Sequence, residues 1–220
     1  MRIPVLLLAT LYAFPQAQGQ PQAGQSPRGS LSAGMGVEYV SWSDVNDLVA
    51  ALPAARPAQF TAAVEFFGAL AFPLSDLWLL KLEYAYTLAS FSPQGTFGPA
   101  SFSVSAHMPS LILQYMLVDR GVYNLKAGAG GGYHFGSLSE KYLSLDDTFT
   151  AKGPGFVLEI EANTAFGDHL FAYLGGNIRW EFIGRLLDAS GVSPGVASGG
   201  SPATLHSFGA GVRLGACYLF

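Results

Sequence analysis

The sequence predicts an all-β protein, an eight-stranded antiparallel up-and-down β-barrel that crosses a membrane, and three observations carry that prediction. From Leu31 to the end, apolar and polar residues alternate with a period of two. The connections between the alternating segments are short and long in strict turn, the asymmetry of membrane barrels. Only 12% of the 220 residues are charged while 50% are hydrophobic, against about 25% charged in an average soluble domain. Yet the chain has no run of about 20 apolar residues from which a transmembrane helix could be made.

The elements follow in chain order. Arg2 and the apolar stretch Val5 to Phe14 have the form of a secretory signal, and Ala17-Gln18-Gly19 offers a small-x-small cleavage site before Gln20. Residues 1–19 are therefore expected to be a signal peptide, 20–30 a short periplasmic segment and 31–220 the barrel. The eight predicted strands are 31–42, 60–72, 77–88, 102–117, 122–135, 155–165, 170–183 and 205–220. The third is the plainest: Trp78, Leu80, Leu82, Tyr84, Tyr86 and Leu88 alternate with Leu79, Lys81, Glu83, Ala85 and Thr87. The fourth breaks the pattern, with Phe102 and Val104 on one parity and Leu111, Leu113, Tyr115 and Leu117 on the other, so a bulge is expected near Pro109. In the fifth, Tyr123, Leu125, Ala127, Ala129, Gly131, Tyr133 and Phe135 oppose Asn124, Lys126, three glycines and His134. In the sixth and seventh, Phe156, Leu158, Ile160 and Leu174, Ile178, Phe182 oppose Glu159, Glu161 and Asn177, Arg179, Glu181.

Tight turns with Asp, Gly or Pro fall at Pro73–Asp76, Val118–Gly121 and Phe166–His169. Long connections rich in Gly, Ser, Pro and Ala are expected at 43–59, 89–101, 136–154 and 184–204, with a helical turn over Ser43–Leu52 for which Asp44 is the candidate cap. An even strand count leaves both ends of the barrel on the short-turn, periplasmic side.

Which face is greasy decides the class. A soluble lipocalin-type barrel shows the same alternation with its apolar face inside. An eight-stranded barrel is only just wide enough to be filled by side chains, so eight faces carrying Trp, Tyr, Phe and Leu would overfill it. The large apolar face therefore points outward. Its aromatics fall in two girdles, Tyr39, Phe60, Tyr86, Phe135, Phe182 and Phe208 towards the loops and Phe72, Trp78, Tyr123 and Tyr218 towards the turns. The final segment Phe208, Ala210, Val212, Leu214, Ala216, Tyr218, Phe220 alternates outward and ends on phenylalanine. In this it resembles the C-terminal strand by which bacterial barrels are recognised by their assembly machinery, with Tyr218 and Phe220 as the signal. With its eight strands the chain resembles small outer-membrane proteins of the OmpW, OmpX and OmpA-barrel type. That resemblance implies residence in the cell outer membrane, with outer-membrane lipids and the barrel-assembly machinery as partners. The OmpW type further implies passage or lateral delivery of small hydrophobic solutes.

Inward positions carry the candidate site: Glu38, Glu65, Lys81, Glu83, Lys126, Glu159, Glu161, Arg179, Glu181 and Arg213. An unpaired charge in a narrow lumen is costly, so these should form one hydrogen-bonded network with Asn124, Asn177 and Gln114, either structural or gating. Glu38 with Arg213, and Lys126 with Glu161, lie at matching heights and are the expected pairs. The single cysteine, Cys217, reads as a packing residue. His107, His134, His169 and His206 form no recognisable catalytic or metal-ligand spacing and are expected at the surface. Asp44/Asp47 and Asp146-Asp147 read as solvated loop charge. No catalytic residue, metal or cofactor is expected, and with only 11 Lys plus Arg and a net charge of −4 no nucleic-acid partner either. Two functions remain open at this level, a narrow conduit for small solutes and a surface-interaction barrel whose long loops touch lipopolysaccharide, host or partner molecules.

Overall fold

The computed structural model describes residues 29–50, 61–92, 94–95, 98–142, 145–194 and 202–220. The expected signal segment 1–19, nearly all of the 20–30 segment and Phe60 lie outside these residues. The strands are β1 (Ser30–Ser41), β2 (Ala62–Pro73), β3 (Trp78–Phe91), the two-residue β4 (Gln94–Gly95), β5 (Gly98–Asp119), β6 (Tyr123–Tyr142), β7 (Leu145–Ala165), β8 (Leu170–Glu181) and β9 (Ser207–Leu219). Among the described residues there is one helix, α1 (Ser43–Ala50), which follows β1. Neighbouring strands pair antiparallel in the order β3-β2-β1-β9-β8-β7-β6-β5, and pairing of β3 with β5 closes the ring of eight long strands.

The first and last strands meet from Ser30↔Leu219 to Ser41↔Phe208, and the Phe220 amide donates to Gly29 O at 3.0 Å. Both ends of the barrel thus lie beside the short turns. Those turns are made as their residues dictate: Gly121 has φ 74°, a left-handed conformation suited to glycine, and its amide donates to Asp119 Oδ1 at 3.0 Å. Outward residues form a continuous apolar belt, including Leu82, Tyr84, Leu111, Leu158, Ile160, Leu174, Val212 and Leu214, all exposed. Among the described residues no helix is long and apolar enough to cross a membrane. The eight long strands make this belt, and on the scale of about 9–11 residues per crossing each of them is long enough.

Four sequence expectations are corrected here. The connections 89–101 and 136–154 are not long loops: β5 starts at Gly98, β6 runs to Tyr142 and β7 begins at Leu145. Beyond the bilayer no lipid demands an apolar face, so the greasy alternation fades while the ladder continues. Polar cross-strand pairs sustain it, Ser105 with Ser137 at 2.9 Å, Ser139 with Thr148 at 3.3 Å and Lys141 with Asp146 at 2.9 Å. The expected bulge near Pro109 is absent: the register of β5 with β6 slips between Met116 and Val118, and Phe102, Val104, Ala106, Met108, Ser110, Ile112 and Gln114 all face inward on one parity. The inner face of β5 changes from apolar at its top to polar in its middle, which alternation alone mimics as a change of side. Asp44 does not cap α1, whose first turn closes through Asn46 N to Trp42 O at 2.9 Å. Its carboxylate instead accepts from the Thr204 amide at 2.8 Å and hydroxyl at 2.7 Å, tying the first loop to the last. His134 is buried rather than exposed.

The interior has layers. At the loop end Val40, Trp42, Val45, Val49, Phe102, Val104, Leu138, Phe149, Ile183, Leu186 and Leu205 pack into an apolar cap. Charged and amide side chains fill the middle, and smaller apolar clusters around Phe67, Phe171, Tyr173 and Cys217, and around Ala71, Leu79 and Met116, lie among and below them. The free Cys217 is buried in that packing.

Candidate functional site

All ten charged residues singled out from the sequence lie inside the barrel, none more than 7% exposed. Seven strands deliver them to one layer. Glu83 on β3 is the hub: Arg213 of β9 reaches it with two nitrogens at 2.9 and 3.1 Å, Arg179 of β8 at 2.6 Å, and Lys81 at 3.0 Å. The fork of Arg213 matches a carboxylate edge, the geometry that gives such pairs their strength. Arg213 also pairs with Glu65 of β2 and covers the Phe67 ring, 4.9 Å from its centroid. Lys81 joins this half to the next, with Glu159 at 2.9 Å and Glu161 at 3.3 Å. Lys126 binds Glu161 at 2.6 Å, the expected lower pair. Gln114 donates to Glu159 and Glu161 at 2.7 and 3.0 Å, and Asn163 to Glu161 at 2.8 Å.

The expected pair of Glu38 with Arg213 does not form. Gly36, not Glu38, stands opposite Arg213 in the β1–β9 ladder, and the guanidinium turns across the lumen to Glu65 and Glu83. Height along two neighbouring strands, read from the sequence, carries no information on which way a long side chain leans. Glu38 is 3% exposed and has no base within ion-pair distance among the described residues.

Sequence reasoning missed one further group. His134 of β6 is wholly buried between Ser110 of β5, whose Oγ lies 3.1 Å from Nε2, and Glu181 of β8, whose carboxylate meets Nδ1. The order acid, imidazole, hydroxyl is that of nucleophilic hydrolases, but here the imidazole is tightly walled in. A Cβ on Gly155 would lie 2.2 Å from His134 Nδ1 and 2.3 Å from Glu181 Oε2. The signal in the sequence was the alternation of β6, which puts His134 on the same face as Asn124 and Lys126. Gly155→Ala should accordingly cost about 1–3 kcal/mol by overpacking, read from urea unfolding in detergent micelles. Gly167→Ala, in a turn with nothing within 4 Å of its Cβ position, should be nearly neutral. Among the described residues no group of three His, Cys, Asp or Glu side chains could hold a metal ion.

Between cap and network lies a cavity of about 20 Å³, room for about one water. Glu38, Thr87, Arg179 and Glu181 give it a polar floor, and Val40, Trp42 and Leu205 an apolar roof. It reaches Glu181 but neither Ser110 nor His134.

No family model matches the chain, and no curated protein matches it by sequence. Solved structures do. The attachment invasion locus protein Ail of Yersinia pestis superposes with a TM-score of 0.56 at 9% identity, covering 89% of this chain and 100% of that one. A major outer-membrane protein of Thermus thermophilus gives 0.55 at 16% identity, over 87% and 99%. Neisserial surface protein A gives 0.53 at 11%, over 87% and 97%. At these identities the likeness concerns architecture, and with the closed ring and the apolar belt it identifies the chain as an eight-stranded β-barrel of the outer-membrane type.

Proposed function

We propose that the protein is a closed barrel that anchors a surface-interaction element in the outer membrane, rather than an open conduit. The observation that carries this reading is the filled interior: an apolar cap lies over a layer of interlocked ion pairs, with a cavity of only about 20 Å³ between them. The side wall is tight as well. Pairing of β5 with β6 lapses at Met108–Pro109, yet a Cβ on Gly132 of β6 would lie 1.8 Å from Pro109 O, so the two backbones press together there.

What the barrel presents supports the same reading. With 22, 20 and 21 residues, β5, β6 and β7 exceed by about ten the 9–11 residues that span a bilayer. Their excess forms a sheet beyond the loop-side girdle. On its β7 side, Asp146–Phe149 have no strand beside them among the described residues, the next contact being the bridge of Thr150 to Leu187. An open edge accepts an extended peptide through its main chain. Asp146 and Asp147 on that edge discourage self-pairing and favour a basic partner segment.

The test is binding of a basic, extended peptide and of purified lipopolysaccharide to the refolded chain, and to a variant in which residues 137–150 are replaced by a two-residue turn. Hairpin-dependent binding of the peptide is expected, with no conducting steps from the wild type in planar bilayers at mildly acidic pH. Steady conductance under those conditions, with no binding lost in the variant, would return the reading to a conduit for small solutes.

A further inference from the structure

The lumen does not balance its own charge. Among the described residues six buried carboxylates, of Glu38, Glu65, Glu83, Glu159, Glu161 and Glu181, face four buried bases, Lys81, Lys126, Arg179 and Arg213. Uncompensated negative charges are expensive to hold in a dry interior, so two positive charges must be supplied from elsewhere. The geometry shows where. The four bases are committed to Glu65, Glu83, Glu159 and Glu161, while among the described residues Glu38 and Glu181 have no lysine or arginine in ion-pair contact. Glu181 meets His134 instead.

We infer that the closed lumen is a binding site for two protons, one held on His134 as an imidazolium between Glu181 and Ser110 and one held on the Glu38 carboxyl. An imidazolium donates from both ring nitrogens, and both have an oxygen in place, Glu181 Oε2 at Nδ1 and Ser110 Oγ at Nε2. From the third side β7 presents Gly155, which has no charge to add. Around Glu38, β3 contributes Thr87 to the shared cavity, and β8 Arg179 and Glu181. On β9 the carboxyl rests against Gly209, where a Cβ would lie 2.5 Å from Glu38 Oε1. Further off are Glu65 on β2 and Arg213 on β9, already paired with each other. A neutral Glu38 gains a donor as well as an acceptor, and the unpartnered Thr87 Oγ1 and Glu181 Oε1 belong to the same group of cavity-lining side chains.

Loss of both protons places the charges of Glu38 and Glu181 together beneath Trp42 and Leu205, the underside of the cap. Repulsion there, relieved only by admitting water and cations, makes the cap the part that yields. The protons lock the barrel shut; without them Glu38 and Glu181 also draw on Arg179, which lines the same cavity and ties the layer below through Glu83, so that cap and layer loosen together into a cation-selective path.

This inference rests on the closed barrel proposed above, but it fails separately, because it concerns the change in conductance as pH rises rather than the closed state at mildly acidic pH. Planar-bilayer recordings of the refolded full chain against pH give the test. If the closed state holds two protons that the open state lacks, open probability rises up to about a hundredfold per pH unit over the transition. Glu38→Gln should reduce this to about tenfold per unit and move opening to higher pH. The Glu38→Gln/Glu181→Gln double variant leaves four lumen acids facing four bases and should stay closed throughout, with its gel heat-shift intact as evidence that it folds. A protonated-carboxyl infrared band present in the wild type and lost in Glu38→Gln should accompany the first result. Wild-type channels closed at every pH with no such band, a double variant that opens like the wild type, or opening governed by sodium concentration and not by pH would each overturn the proposal.

Discussion

Replacing Arg213 by alanine should destabilise the barrel by about 3–5 kcal/mol, because it removes the partner of two buried carboxylates without removing either carboxylate. Arg213 is 1% exposed and spans Glu65 and Glu83 at once. After the change Glu83 keeps Arg179 and Lys81, whereas Glu65 keeps only the Nε of Arg179, 3.9 Å away, and the Asn177 amide at 3.3 Å. Glu65 is therefore where the penalty falls. Urea unfolding in micelles at fixed pH measures it, and the pattern of rescue identifies the partner. Glu65→Gln combined with Arg213→Gln should recover part of the loss, with a coupling of about 0.5–3 kcal/mol in the double-mutant cycle. Glu38→Gln in the same background should recover less, since its carboxyl is not in ion-pair contact with the guanidinium. Equal rescue by Glu38→Gln would restore the pairing that strand height alone suggests.

That difference marks where the sequence stops being informative. Period-two alternation placed every one of the ten charged residues on the inner face, because a strand offers only two faces and lipid forbids one of them. Which charges meet is decided by long side chains crossing a lumen between strands far apart in sequence. Lys81 reaches Glu159 across 78 positions and Arg213 reaches Glu83 across 130. Lys126 with Glu161 could be read in advance because the two stand directly opposite in one ladder. Glu83 as hub, and Ser110 and Glu181 as the partners of His134, could not. Strand length failed for a related reason: the greasy face ends with the bilayer, whereas β6 and β7 continue on Ser, Thr, Glu and Lys whose alternation resembles a polar loop. The upper face of β5 shows the same limit, with Phe102 and Val104 turned into an apolar cap that nothing in the local pattern distinguishes from a lipid-facing pair.

The lipid face can be tested independently of the lumen at Ile160, which is 50% exposed on β7 between Ala127 of β6 and Gly176 of β8. Its small neighbours offer an arginine neither a partner nor cover, and Leu158 and Leu174, also outward, keep the surroundings apolar. The aromatic ends of this face lie at Phe156 towards the loops and at Phe166 beside the turn, several residues from Ile160 in either direction. Ile160→Arg should therefore cost about 2–4 kcal/mol, the range for a cation near the bilayer midplane. In lipid vesicles the variant should lose folded yield and its gel heat-shift, and in a short-chain detergent, which lets the guanidinium reach water, much of the loss should disappear. An inward change of comparable placement separates the two environments: Thr87→Ser removes one buried methyl and should cost about 1 kcal/mol or less, in lipid and detergent alike. If Ile160→Arg were tolerated in vesicles while Thr87→Ser was not, the faces of β3 and β7 would have to be exchanged and the apolar belt would be a core. The predicted order, with the outward cation more damaging and its damage dependent on lipid, follows from water being excluded from one side of the wall by lipid and from the other by side chains that satisfy one another.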